Sequence, residues 1–184
     1  LNEVTNTLND SARVRRLLAE CYRGLGNHSA ALEQLKAARR RSDDPVAIDL
    51  TLAQYQRQRG NSDAAVSALQ RALDADQISR RQRRQIANLL AQLKRPDQAL
   101  AAARPLYPDT DAPADMLFAR LYAATGQVDR LERICEKLLQ DPSPGRVRFV
   151  AAFYQFQGQS EKARAALDKL DQLEIEPADK ALIL

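Results

Sequence analysis

The chain has 184 residues, 45% apolar but only 5% aromatic, with no Trp and a formal net charge of +4. No window holds the ~18–20 uninterrupted apolar residues of a membrane-spanning helix, so direct membrane insertion is not expected of these residues. A single histidine, two cysteines without metal-ligand spacing and no nucleophile paired with a base argue against catalysis, a metal or a cofactor.

In chain order, residues 12–45 read as an apolar-periodic helix, a turn at Gly24-Leu25-Gly26 and a second apolar-periodic helix. His28 falls in that turn and reads as a polar turn residue. The same sequence grammar recurs over 46–79, 80–111, 112–143 and 144–177, with Gly60, Lys94, Gly126 and Gly158 in the place of Gly26. The step is 34 residues from Gly26 to Gly60 and from Gly60 to Lys94, then 32 to Gly126 and 32 to Gly158. Small residues at the eighth position of each unit (Ala19, Ala53, Ala87, Ala119, Ala151) let paired helices approach closely. Bulky neighbours at the seventh (Leu18, Leu52, Ile86, Phe118, Val150) fill the space beside them. Glycine at the fifteenth position suits the left-handed conformation that ends a helix. Three residues on, Ser29, Asp63, Asp97, Asp129 and Glu161 are predicted to cap the second helices. Cys21 and Cys135 fall on apolar helix faces, which predicts two buried thiols.

The third unit departs from the others. Lys94-Arg95-Pro96 occupies its turn, and Pro105 and Pro108 should stop its second helix early or kink it, with a break in superhelical curvature expected near 105–113. Extrapolating the period backwards puts Leu1 and Val4 in an earlier unit. Residues 1–11 thus read as the end of a preceding repeat and 178–184 as the start of a following helix.

A 34-residue helix–turn–helix period with these positions resembles the tetratricopeptide repeat (TPR) family. The resemblance implies an all-α fold, a right-handed superhelical solenoid of TPR helix–turn–helix repeats, here one array over residues 1–184. It also implies that the second, fifth, ninth and twelfth positions of each unit face a concave groove. Unit one then offers Arg13, Arg16, Glu20 and Arg23. Unit two offers Ala47, Leu50, Gln54 and Arg57, and unit three Arg81, Arg84, Asn88 and Ala91. Unit four offers Pro113, Met116, Arg120 and Ala123, and unit five Gly145, Arg148, Ala152 and Gln155. Eight arginines against one carboxylate is a far steeper bias than the whole-chain 28 basic to 24 acidic residues. Arg84 and Asn88 resemble part of the clamp with which some family members grip a peptide carboxylate, whereas Leu50 with Gln54 and Arg16 with Glu20 depart from it.

Arginine suits bidentate recognition of carboxylates. The leading expectation is a non-catalytic scaffold that binds a protein partner through an acidic segment or helix. An acidic polymer, nucleic acid or anionic polysaccharide, is the alternative, although the groove positions lack aromatics for base stacking. A third reading is a structural spacer in a longer TPR protein. The Ala-, Arg-, Gln- and Leu-rich repeats are also similar in style to bacterial scaffolds of exopolysaccharide export (alginate, cellulose or Pel type). That resemblance implies a periplasmic location and a polysaccharide-modifying enzyme as partner, with the cytoplasm as the alternative compartment.

Overall fold

The computed structural model describes residues 11–171 and residue 173. The readings placed on Leu1, Val4 and 177–184 lie outside these residues. Among the described residues there are ten α-helices and no strand. The chain divides into two compact units, residues 1–106 and 107–184.

The first unit holds three helical hairpins: α1 (Ala12–Gly24) with α2 (His28–Arg40), α3 (Pro45–Gln58) with α4 (Ser62–Leu73), and α5 (Arg80–Gln92) with α6 (Pro96–Ala103). A 3₁₀ turn, Arg104–Leu106, follows α6. The second unit holds two hairpins: α7 (Met116–Ala124) with α8 (Val128–Leu138), and α9 (Pro144–Phe156) with α10 (Ser160–Asp171). α3 begins at Pro45, one residue before the second period as read from the sequence.

Hairpin packing follows the small-residue rule. Ala31, Ala53, Ala65, Ala87, Ala99 and Ala119 are all 0% exposed, so helices meet there without an intervening side chain. Ile86 and Leu69 in the first unit, and Phe118, Tyr122 and Leu138 in the second, fill the remaining space. Burying an apolar side chain of this size stabilises by about 1.5–3 kcal/mol.

Each first helix ends in the same way. At the first turn the Gly26 amide donates to Arg23 O at 3.1 Å and the Asn27 amide to Tyr22 O at 2.9 Å, a Schellman arrangement. The corresponding amide pairs recur at Gly60, Lys94, Gly126 and Gly158. All five residues have positive φ, including Lys94 at 60°. The loss of glycine in unit three therefore left the turn's geometry unchanged.

Several expectations are corrected. The N-caps of α2, α4, α6 and α8 are Asn27, Asn61, Arg95 and Gln127, two residues before the predicted positions. After the left-handed residue only one non-helical residue is needed before helical geometry resumes. Ser29, Asp63, Asp97, Asp129 and Glu161 therefore lie inside the first turn, where the four acids face the positive end of the helix dipole. His28 is the first residue of α2 rather than a turn residue. Cys135 is buried but Cys21 is exposed, and Leu18 is 38% exposed. α1 packs on α2, and no described helix covers its other side. Leu167 on α10 is likewise 43% exposed. Pro105 ends α6 after eight residues, and the chain tightens into the 3₁₀ turn, as its missing amide predicts.

Candidate functional site

The first helices of repeats one and two, α1 and α3, enclose a groove containing two adjoining cavities. One, of about 240 Å³, has Ala19, Leu35 and Tyr55 as its apolar floor and Arg16, Glu20 and Arg23 on its α1 rim. Thr51, Gln54 and Gln58 of α3 close the opposite side. The other, of about 440 Å³, lies towards the start of both helices and is lined by Arg13, Arg16, Glu20 and Asp44 among others.

Helical spacing produces this clustering. Residues 13, 16, 20 and 23 recur at steps of three and four, which places them along one face of α1. Residues 51, 54, 55 and 58 do the same on α3. The sequence reading singled out Gln54 but missed Thr51, Tyr55 and Gln58, which the same spacing rule applied to α3 would have found. Tyr55 is 6% exposed, and its hydroxyl lies 2.7 Å from His28 Nδ1. The tip of the ring is thus tied to the following helix of repeat one while its body forms the cavity floor. The Thr51 hydroxyl donates to Ala47 O at 2.9 Å, so it offers a ligand acceptor capacity only.

Other predicted groove residues are placed differently. Arg57 is exposed on the last turn of α3, and Arg81 and Asn88 are exposed on α5, but none of the three lines either cavity. Arg84 on α5 is half-buried and engaged by a neighbouring group. In the second unit Arg120 on α7 and Arg148 on α9 are exposed. Two offered positions are not groove residues at all, since Leu50 is 6% exposed and Pro113 is buried. α3 packs against α2, α4 and α5, and an apolar fifth position is drawn into that packing.

The arginines divide by partnership. Arg39 Nε meets Asp49 Oδ2 at 2.7 Å, and Arg71 Nη2 meets Asp49 Oδ1 at 3.2 Å. Arg133 pairs with Asp111 at 2.8 Å, and Arg130 stacks over Tyr122 with 5.7 Å to the ring centroid. Arg80 and Arg83 donate to the carbonyls of Leu106 and Ala102. By contrast, Arg13, Arg16 and Arg23 are exposed, and among the described residues none makes an ion pair or hydrogen bond. Three unpaired guanidinium groups along one wall of a preformed groove can each accept a carboxylate bidentately, without first breaking an internal bond.

Among the described residues no cluster of His, Cys, Asp or Glu is arranged to hold a metal ion, and no helix is long and apolar enough to cross a membrane. Burial pushes the Cys135 thiol up to about 12, assisted by the charges of Glu132 and Glu136. A thiol so far from ionising is a core residue, not a nucleophile.

No protein-family model matches the chain, and neither does any curated protein. Solved structures do match it. YrrB, described as a TPR protein with an unusual peptide-binding site, superposes with a TM-score of 0.63 at 18% identity, covering 96% of this chain and 93% of that chain. PilW, described as a widely conserved type IV pilus biogenesis factor, gives 0.60 at 19% identity over 94% of this chain and 82% of its own. MamA gives 0.59 at 17% identity over 84% and 95% respectively. At such identities the likeness is one of backbone, and together with the repeated hairpins and their Schellman turns it establishes the fold as the all-α tetratricopeptide-repeat fold.

Proposed function

We propose that this protein is a non-catalytic scaffold that holds an acidic segment of a protein partner in the groove between α1 and α3. The supporting observation is the cavity that sets unpaired Arg16 and Arg23 beside Gln54 and Gln58 over an apolar floor. The peptide-binding site in the description of YrrB supports the same use of the fold. Arg81 and Asn88 extend the basic surface along the first unit, and Arg120 and Arg148 offer the same chemistry on the first helices of the second. In the bacterial export setting that the repeat style resembles, the partner would be a periplasmic polysaccharide-modifying enzyme.

The test is the double reversal Arg16→Glu with Arg23→Glu, read by anisotropy of a fluorescein-labelled peptide containing spaced glutamates. Two attractions become two repulsions, so affinity should fall by at least about ten-fold at low salt, and by less as salt rises. Unchanged binding would remove the groove as the partner site. Binding of an acidic polymer is the second reading, favoured by the 18 basic and 11 acidic residues between positions 1 and 106. It is separated from the first by competition with a single-stranded oligonucleotide, which displaces the peptide only if the groove accepts polyanions.

A further inference from the structure

The two cavities of the α1–α3 groove share Arg16 and Glu20, which line both. Glu20 stands four residues after Arg16 and three before Arg23, spacings at which side chains lie on one helix face and oppositely charged pairs form. It is exposed, and among the described residues it pairs with neither arginine. Its charge thus faces the groove along with theirs. In the larger cavity Asp44 adds a second carboxylate, one that caps α3 and accepts from Gln82.

A site selected only for negative charge would gain nothing from a carboxylate between its cations. A nucleic acid carries a phosphate at every step of its backbone, so a strand laid along both cavities brings negative charge onto Glu20. A peptide can space its acids. Two carboxylates can reach Arg16 and Arg23 while a backbone amide or a lysine lies over Glu20, satisfying it as well. Discrimination of this kind needs a repulsive element beside the attractive ones.

We propose that Glu20 is the specificity-determining residue of this groove, admitting a mixed-charge peptide segment with spaced carboxylates and rejecting uninterrupted polyanions. The proposal rests on the groove being the partner site, and its test separates the two. The full chain, Glu20→Gln and the Arg16→Glu/Arg23→Glu double variant are titrated against two labelled probes. One is a peptide of alternating glutamate and lysine, and the other a thymidine oligonucleotide. Glu20→Gln keeps the side chain's size and removes its charge. It should strengthen oligonucleotide binding about five-fold, the equivalent of removing one close like-charge contact in water, with no gain for the peptide. An unchanged oligonucleotide affinity, or an equal gain for both probes, overturns the role of Glu20. If the arginine variant still loses the peptide in that case, the groove reading stands without it. If the arginine variant binds both probes as the native chain does, the groove reading and the proposal fall together.

Discussion

Asp49 is the one charged side chain among the described residues that are buried, at 1% exposure. Arg39 from α2 and Arg71 from α4 hold its two oxygens, so one carboxylate on α3 ties together three helices of two repeats. The desolvation is unequal, because the two arginines keep 36% and 45% of their side chains exposed. Removing both arginines (Arg39→Ala with Arg71→Ala) strands a buried charge and should destabilise by about 3–5 kcal/mol in urea unfolding. Asp49→Ala leaves only guanidiniums that can turn to water, and should cost less, about 1–3 kcal/mol. The reverse order would show that the pair does not act as a buried anchor.

The two thiols differ for the same reason, burial. Cys21 is exposed on α1, whereas Cys135 is enclosed and its ionisation pushed up to about 12. At mildly alkaline pH an aromatic disulfide reagent should modify one thiol per chain quickly and the second only on unfolding. The sign for stability follows. The folded state holds the Cys135 proton more tightly than the unfolded chain, so this group's contribution is complete below pH 9 and is lost as pH rises towards 12. Two thiols reacting at equal rates in the native protein would contradict this packing.

At the scale of the helix and its turn, Lys94 is the informative residue. A non-glycine residue at φ 60° costs about 1–2 kcal/mol, and the four equivalent turns use glycine. Lys94→Gly should therefore raise stability by about 1 kcal/mol. Gly60→Ala should lower it by a similar amount, since a Cβ there meets nothing within 4 Å and the cost is purely one of backbone. Equal midpoints for Lys94→Gly and the native chain would show that the Schellman hydrogen bonds already offset the strain. The caps belong to this scale too. Of the caps Asn27, Asn61, Arg95 and Gln127, Asn27 alone accepts from its helix, at 3.1 Å from the Ala30 amide. The acids within the first turn act on the dipole, which tolerates a shift of two residues in their position.

Across the whole molecule, charge is distributed unevenly. Residues 1–106 carry 18 basic and 11 acidic side chains, whereas 107–184 carry 10 and 13. The modest net charge of +4 therefore conceals a strongly basic first unit. Under the proposed function, long-range attraction of an acidic partner would belong to that unit as a whole, and the contacts that hold it to Arg16 and Arg23. This is why the effect of reversing those two arginines should shrink with rising salt.

Much of this was legible in the chain. A period of 32–34 residues, alanines at the contact positions and a left-handed turn residue each depend on local geometry, so the number of hairpins, their helices and the early end of α6 could be read directly. The face of α1 that carries Arg13, Arg16, Glu20 and Arg23 was also legible, because a helix fixes which residues share a side. Tertiary structure alone decided what lies opposite that face. It placed Thr51, Tyr55 and Gln58 across a cavity from the arginines, drew Leu50 into the packing around α3, and joined Asp49 to arginines ten and twenty-two residues away. It also left Cys21 and Leu18 uncovered. Periodicity determines which side chains point the same way, but only the packing of neighbouring helices determines which of those sides meet protein and which meet solvent.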